Sequence, residues 1–496
     1  MSQTVNVVGG GLGGLSTAIR LRNAGLKVNL FEKNSTLGGK MQEVKSQGYR
    51  FDTGPSLLTM PFVIEDLFSS VGEKMNDFLQ IEPINPICKY FWEDGRTLNA
   101  FSEITQMQKE IANFSKTDSQ NYPKFLDYSK RIYDLTAEIF LFQPIHEIGK
   151  VLKMKNLSTL FKLPQIDPFR TMHESIAKNF ENEKIIQIFD RYATYNGSNP
   201  FKAPATLNII PFVEYCLGGF YIRGGMYRLV DSLKEIAEKI GVKIILNSNV
   251  EKISQENKIA QGIIVNGEFV KSDFVVCNSD VVVSYNELIE GFEPKKEKLN
   301  KLEPSLSGMV FLWGVNKKTE KLSHHNIIFS NDYKQEFKDI FDTKTVSEDP
   351  TVYVSVTSKT DSNHASKDCE NLFVLINAPY LTASQDWQRN TKTLRKATLQ
   401  KLKSVGIDIS ENIEFEKTFS PKDLFNLYKS NKGSIYGISS NDRNSAFKRP
   451  PNRSRELENL YFVGGSSHPG GGIPLVLLSG KIVSELILEK QKLGFK

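Results

Sequence analysis

The 496-residue chain is short of what marks a metalloprotein, a disulfide-built scaffold or a membrane-spanning protein. Its 4 cysteines, Cys88, Cys216, Cys277 and Cys369, stand far apart. No C-x-x-C pair therefore exists to hold a metal or an iron–sulfur cluster or to cycle as a redox couple, and the thiols are expected to be buried and inert in a reducing compartment. No run approaches the ~18–20 uninterrupted apolar residues of a spanning helix, so any meeting with a membrane takes place from one side. The first predicted strand opens at Thr4, which leaves no space for a basic and then apolar leader, and no export signal is expected. Charge of one sign is scarce as well: 63 Lys+Arg against 57 Asp+Glu leave +6. That bias calls for no nucleic-acid partner and suits an anionic membrane surface at least as well. Internal repeats and low-complexity tracts are lacking.

What is present begins at the N-terminus, in a chain whose 40% hydrophobic residues suffice for about three domains. Thr4 to Val8 reads as a strand running into Gly9-Gly10-Gly11-Leu12-Gly13-Gly14 and then a helix whose Leu15, Ala18 and Ile19 face a sheet. Gly9, Gly11 and Gly14 have G-x-G-x-x-G spacing, which lets a pyrophosphate sit at the helix N-terminus. A second strand, Lys27 to Phe31, ends at Glu32 and Lys33. There, about 20 residues past the glycines, a carboxylate is placed to accept ribose hydroxyls. The order strand, glycines, helix, strand, acid predicts dinucleotide binding, and NAD and FAD both satisfy it. Gly38-Gly39-Lys40 favours FAD, because a second glycine pair lets the chain fold back over the dinucleotide beneath a cation; the alternative is an ordinary surface lysine.

Near the other end, Val463-Gly464-Gly465-Ser466-Ser467-His468-Pro469-Gly470-Gly471-Gly472-Ile473-Pro474 precedes a final apolar helix. Bare backbone amides in such a run admit something flat or anionic. Between the termini, Val230 to Ile240 is predicted helical, Lys243 to Leu246 and Val250 to Ser254 are strands, Ile263 to Val270 is a hairpin about Asn266-Gly267, and Phe274 to Cys277 returns to the sheet. These pieces predict a discontinuous dinucleotide domain over 1–104, 230–289 and 431–496. Residues 105–229, broken by Pro144, Pro164, Pro168, Pro200 and Pro204, predict a helical insertion. Within it Ile145 to Leu163 alternates apolar residues at helical spacing with Lys150, Lys153, Lys155 and Lys162, a pattern that fits a membrane interface and a core-packed helix equally. Residues 290–430, with strands at Gly308 to Trp313, Thr351 to Ser355 and Leu372 to Ile376, predict an antiparallel sheet with one covered face, the substrate side.

On these residues, together with Phe51-Asp52-Thr53-Gly54-Pro55-Ser56, Tyr195-Asn196-Gly197-Ser198-Asn199-Pro200, Ala203-Pro204-Ala205 and Gly224-Gly225-Met226, the chain resembles, end to end, the bacterial-type carotenoid desaturases, the phytoene desaturase-like FAD enzymes. Ser467 stands where that family usually has Thr or Ala, and Gly471 where it has a small side chain. Overall the chain is most similar to the 1-hydroxycarotenoid 3,4-desaturase branch of marine bacteria. The resemblance implies an α/β fold with a Rossmann-type discontinuous FAD domain of the flavin amine oxidase and GDP-dissociation-inhibitor kind, an antiparallel-sheet substrate domain and a helical lid. It implies FAD contacts at Gly9, Gly11, Leu12, Gly13, Gly14, Glu32, Lys33, Gly38, Gly39, Lys40, Gly54, Pro55, Ser56, Val250, Gly464, Gly465, Gly472, Ile473 and Pro474. It also implies a long carotenoid substrate, docking on the inner face of the cell membrane from the cytoplasm, and reoxidation by oxygen or a quinone.

Desaturation removes a hydride, which a flavin accepts, and a proton from the neighbouring carbon. Charge beside a polyene is delocalised, so no strong base is required. His468 and Glu147 are the candidates for a direct catalytic part; the preferred readings are a loop-shaping residue for His468 and a solvated helical face for Glu147. His324 and His325 read as wall residues. The rival activities are phytoene desaturation to lycopene, amine oxidation and non-enzymatic lipid carriage on the same fold.

Overall fold

The computed structural model describes residues 2–147, 166–442 and 448–494. At its centre lies Thr4–Val8, in a five-stranded sheet ordered Leu460–Phe462, Phe274–Cys277, Thr4–Val8, Lys27–Phe31, Lys243–Ile245. Every pairing in it is parallel. Val5 and Val7 are fully buried, as a nearly continuous apolar strand must be when both faces are covered. The helix Leu12–Asn23 covers one face, and the C-terminal helix Ile473–Gly494 lies against it. Small residues set that closeness. Ser16 Oγ donates to the Leu477 carbonyl at 2.9 Å, and a Cβ on Gly480 would come within 2.7 Å of Ser16.

The predicted hairpin forms within a separate three-stranded antiparallel sheet, Val250–Glu256, Ile259–Val265 and Glu268–Lys271. Its turn residues Asn266 and Gly267 both have positive φ, 51° and 76°, as the twist of a two-residue hairpin loop requires.

The third sheet departs from expectation in two ways. It has seven strands, ordered Ile413–Phe419, Ser307–Val315, Glu370–Ala378, Val352–Ser355, His325–Ile328, Cys88–Phe91 and Thr97–Ala100. The last two come from a stretch assigned by sequence to the dinucleotide domain, and Cys88–Phe91 pairs in parallel with His325–Ile328. Alternation of apolar residues marks a strand but does not say which sheet receives it. Second, Ser307–Val315 is buried at every position, so both faces of the sheet are covered at its middle.

Helices Ile104–Ala112, Lys116–Phe140, Met172–Asn179, Glu183–Asp190 and Ile209–Cys216 occupy the predicted helical region. They pack through aromatic rings, Phe180 and Phe189 stacking at 4.9 Å with planes 6° apart. Thr171 and Glu174 close a reciprocal capping box that starts Met172–Asn179. The basic amphipathic stretch from Ile148 to Leu163 lies outside the described residues. Among the described residues no helix is long and apolar enough to cross a membrane. Of the cysteines, Cys88 and Cys277 are buried but Cys216 is exposed and Cys369 half-buried, which corrects the expectation of four buried thiols.

Candidate active site

One cavity of about 830 Å³ reaches from the parallel sheet to the seven-stranded sheet. Its first part is made of backbone. Gly11 precedes the helix Leu12–Asn23 in extended conformation with no side-chain cap, so the first-turn amides are left for a ligand. Gly9, Gly11 and Leu12 line the cavity; Gly13 and Gly14 do not. Those two are packing glycines, a Cβ on Gly14 falling 2.2 Å from the Gly9 carbonyl and one on Gly13 falling 2.9 Å from the Gly464 amide. Gly38, at φ 111°, turns the chain back so that its amide donates to the Gly10 carbonyl at 2.9 Å. Gly39 then sits over Gly11, near enough that a Cβ on it would lie 3.3 Å from the Gly11 Cα.

Glu32 stands at the end of its strand, 5% exposed. Its Oε2 accepts from the Gly10 amide at 2.8 Å and its Oε1 from the Asn34 amide and Nδ2, each at 2.9 Å. A carboxylate fixed by three donors, with one lone pair on Oε2 to spare beside the cavity, suits a ribose hydroxyl. Lys33 and Val250 also line this part, and burial lowers the Lys33 pKa against the pull of Glu32.

Farther along, the lining passes through Lys40, Gly54, Pro55 and Ser56 to Gly464, Gly465, Gly472, Ile473 and Pro474, where the C-terminal helix begins. Lys40 is not a surface lysine. Its Nζ is enclosed, donating to the carbonyls of Ile435 at 2.6 Å and Ser434 at 3.2 Å, and burial pushes its pKa down to about 8 against the opposing field of Asp280. Behind the glycine run, Arg449 donates to the carbonyls of Gly465 at 2.8 Å and Tyr436 at 3.1 Å, and burial pushes its pKa down to about 10. Sequence spacing gave no sign of Arg449 or Asp280, since neither belongs to a local motif.

The two residues weighed for catalysis lie off the lining. The His468 Nε2–H donates to the Gln143 carbonyl at 2.7 Å, and its own carbonyl accepts from Asn452 Nδ2 at 2.7 Å. Burial pushes its pKa down to about 3, so the ring is a neutral brace. Glu147 faces Arg453 at 3.5 Å. By contrast His325, read as a wall residue, reaches the cavity together with Arg191, Tyr195, Glu214 and Tyr353, amid apolar Leu57, Ile87, Leu306, Ile327, Phe373 and Leu375.

A central parallel sheet, uncapped helix amides, a carboxylate at the second strand end and a glycine fold-back define a dinucleotide-binding protein of the Rossmann type. A sequence model of flavin-containing amine oxidoreductases matches residues 12–488. A 1-hydroxycarotenoid 3,4-desaturase from a Flavobacterium species is 39% identical to the chain over 97% of it and 98% of that protein. A 4,4'-diapolycopene oxygenase from a Methylomonas species is 35% identical, with 98% of both chains covered. Among solved structures, putrescine oxidase bound to putrescine aligns at a TM-score of 0.61 and 13% identity, covering 99% of each chain. An oxidoreductase from Methanosarcina mazei gives 0.65 and 16%, covering 97% of this chain and 100% of that one. The chain belongs to the flavin-containing amine oxidoreductase family, in its bacterial carotenoid-desaturase branch, and is an FAD-dependent oxidoreductase.

Proposed function

We propose that the protein introduces C=C bonds into a long polyene, by 3,4-desaturation of a 1-hydroxylated carotenoid. The observation that carries this reading is the continuity of one cavity, which leads from the Glu32 cradle to an apolar chamber under the seven-stranded sheet. Gly9, Gly11, Glu32 and Gly38 would hold the adenosine and pyrophosphate of FAD, and Lys40, Ser56, Gly464 and Gly472 would border its ring. FAD, when bound, supplies the hydride acceptor. The chain's own residues do the rest: Leu306, Phe373 and Leu375 exclude water and hold the polyene extended, while the start of the C-terminal helix offers partial positive charge to the bound ring. The site has polar groups of its own at its far end, and these bear on which polyene is taken. In this reading residues 105–229 form a lid, the protein works at the cytoplasmic face of the membrane in which carotenoids dissolve, and oxygen or a quinone takes the electrons.

The names of the relatives favour a second reading, oxidation of the polyene terminus. Producing the protein in separate bacterial strains that accumulate a 1-hydroxylated carotene, phytoene or diapolycopene decides between them. The expected product is the hydroxylated carotene with one added double bond. An oxygen-bearing product made from diapolycopene would instead make the protein an oxygenase. Conversion of phytoene with the hydroxylated carotene untouched would make it a phytoene desaturase.

A further inference from the structure

The substrate end of the cavity holds an island of charge that a hydrocarbon ligand does not explain. Arg191 and Glu214 are 6% and 0% exposed, and both border the cavity. Burying two ions costs more in lost hydration than their attraction returns unless their remaining donors and acceptors are used. Here some are not. Arg191 Nε donates to the Tyr90 hydroxyl at 2.8 Å, and Nη2 donates to the Tyr192 hydroxyl at 2.9 Å and to Glu214 Oε1 at 2.7 Å. Nη1 reaches only the Tyr195 hydroxyl, at 3.5 Å. A guanidinium has five N–H groups, so one on Nη1 has no partner among the described residues. Glu214 Oε1 takes a second bond, from the Tyr192 hydroxyl at 2.7 Å, whereas among the described residues Oε2 accepts from Tyr195 alone.

A second unpaired group lies on the same lining. His325 is 2% exposed and its Nε2 has no partner among the described residues. Its Nδ1 meets the Tyr353 hydroxyl at 2.7 Å, which meets Ser56 Oγ at 2.6 Å. That hydroxyl chain can run in either direction, so Nε2 presents a lone pair in one tautomer and a proton in the other. Burial first, then the adjacent His324 and Arg191, hold the ring neutral. The island therefore sums to zero charge while offering one spare donor, one spare lone pair on Glu214 Oε2 and a nitrogen that serves as either. An anion would be opposed by Glu214 and a cation by Arg191, and a hydrocarbon would leave all three groups stranded. The complement is a neutral group that donates and accepts at once, which is an alcohol.

We propose that Arg191, Glu214 and His325 form a recognition site for the hydroxyl end group of an otherwise apolar polyene. The polyene part of this statement rests on the desaturase reading above; the demand for a hydroxyl comes from the unpaired groups themselves. The site would select among substrates of equal length by their end groups.

The test is direct binding to the flavin-loaded protein in detergent, followed by quenching of protein fluorescence with three acyclic polyenes of one length: the 1-hydroxy compound, its methyl ether and the parent hydrocarbon. The alcohol should bind about 10- to 100-fold more tightly than the hydrocarbon, the range of a hydrogen bond to a charged group, with the ether between them. Arg191→Met combined with Glu214→Gln removes both charges together and strands neither. In that variant the preference should fall below about 3-fold, with hydrocarbon binding kept. His325→Phe should reduce the preference without altering the flavin absorption spectrum. Equal binding of all three polyenes by the native protein overturns the proposal even if no variant folds, and so does a preference that survives the double substitution. A native protein that prefers the alcohol yet adds no double bond to any polyene leaves the recognition site standing and removes the desaturase reading. One that desaturates the alcohol while binding alcohol and hydrocarbon alike does the reverse.

Discussion

The two ends of the cavity are built of different material. At the dinucleotide end the working groups are backbone amides and one carboxylate, all within Gly9 to Gly39, and the shape is set by where a Cβ is missing. At the far end, under the seven-stranded sheet and proposed to take the substrate, they are side chains from separate elements: Tyr90, Arg191 and Tyr192, Glu214, His325 and Tyr353, held by one another's hydrogen bonds. The first kind of site, apart from Glu32, fails when a side chain is added to it. The second fails when one is removed, because a partner is then left buried and unsatisfied. An enzyme family that keeps its cofactor and changes its substrate is well served by that division.

Substitutions at each end should separate the two. Arg191→Met alone strands the Glu214 carboxylate and should cost about 3–5 kcal/mol, read as a lower urea midpoint, with flavin content per folded chain unchanged. Loss of flavin from a variant of native stability would show that the ends are not separable. Glu32→Ala should act in the opposite sense: FAD affinity falls by about 1–3 kcal/mol on titration of the apoprotein, while polyene binding persists. Unchanged FAD affinity would place the ribose elsewhere.

A smaller effect concerns the buried His468, which lies off the cavity lining. His468 is held down to about 3 in the fold, whereas an unfolded histidine titrates near 6.5. As pH falls the unfolded chain takes up the proton first, so stability from this residue is complete above about 6.5 and is lost progressively toward about 3. Glu336 works in reverse, because burial pushes its pKa up to about 7. Its stabilising protonated form is fully present below about 4.5 and its contribution is lost as pH rises through about 7. His468→Gln should therefore shrink the drop in thermal midpoint between pH 7 and pH 5, and Glu336→Gln should enlarge it. The smallest effect is expected for Glu147→Ala, which breaks a partly exposed contact with Arg453 worth at most about 1 kcal/mol and should leave product formation in cells as it was.

The same contrast decides how much could be read from the sequence. Strand, glycines, helix, strand and acid are contiguous, and local spacing alone carries their chemistry, so Gly9, Gly11, Glu32, Gly38 and Gly39 were legible. Asn34, which fixes the Glu32 carboxylate, sits in that motif but carries no signature. Arg191 opens the helical turn Arg191–Asn196 and Glu214 lies in Ile209–Cys216, so they meet only after those two have packed, and no spacing announces them. His325 looked like sheet wall because its neighbours are apolar; the partner that gives it a role, Tyr353, arrives from the next strand of the sheet. Strands were visible at Gly308 to Trp313 and Leu372 to Ile376, but not the recruitment of Cys88–Phe91, since pairing across a sheet is a long-range matter. Gly471, which departs from the family pattern, has a local cause: a Cβ there would fall 2.6 Å from the Tyr436 ring.

The latch between Ser16 and Leu477, with Gly480 pressed on the first helix, gives the molecule an order of assembly. Nearly the whole chain must leave the ribosome between the glycines of the first turn and the glycines that meet them. Until Leu460–Phe462 emerges the sheet lacks its edge strand, and until the helix Ile473–Gly494 follows the cradle lacks one wall. A chain made only as far as Leu460 has an incomplete cradle, so capture of FAD is expected to require the segment from Leu460 to Gly494.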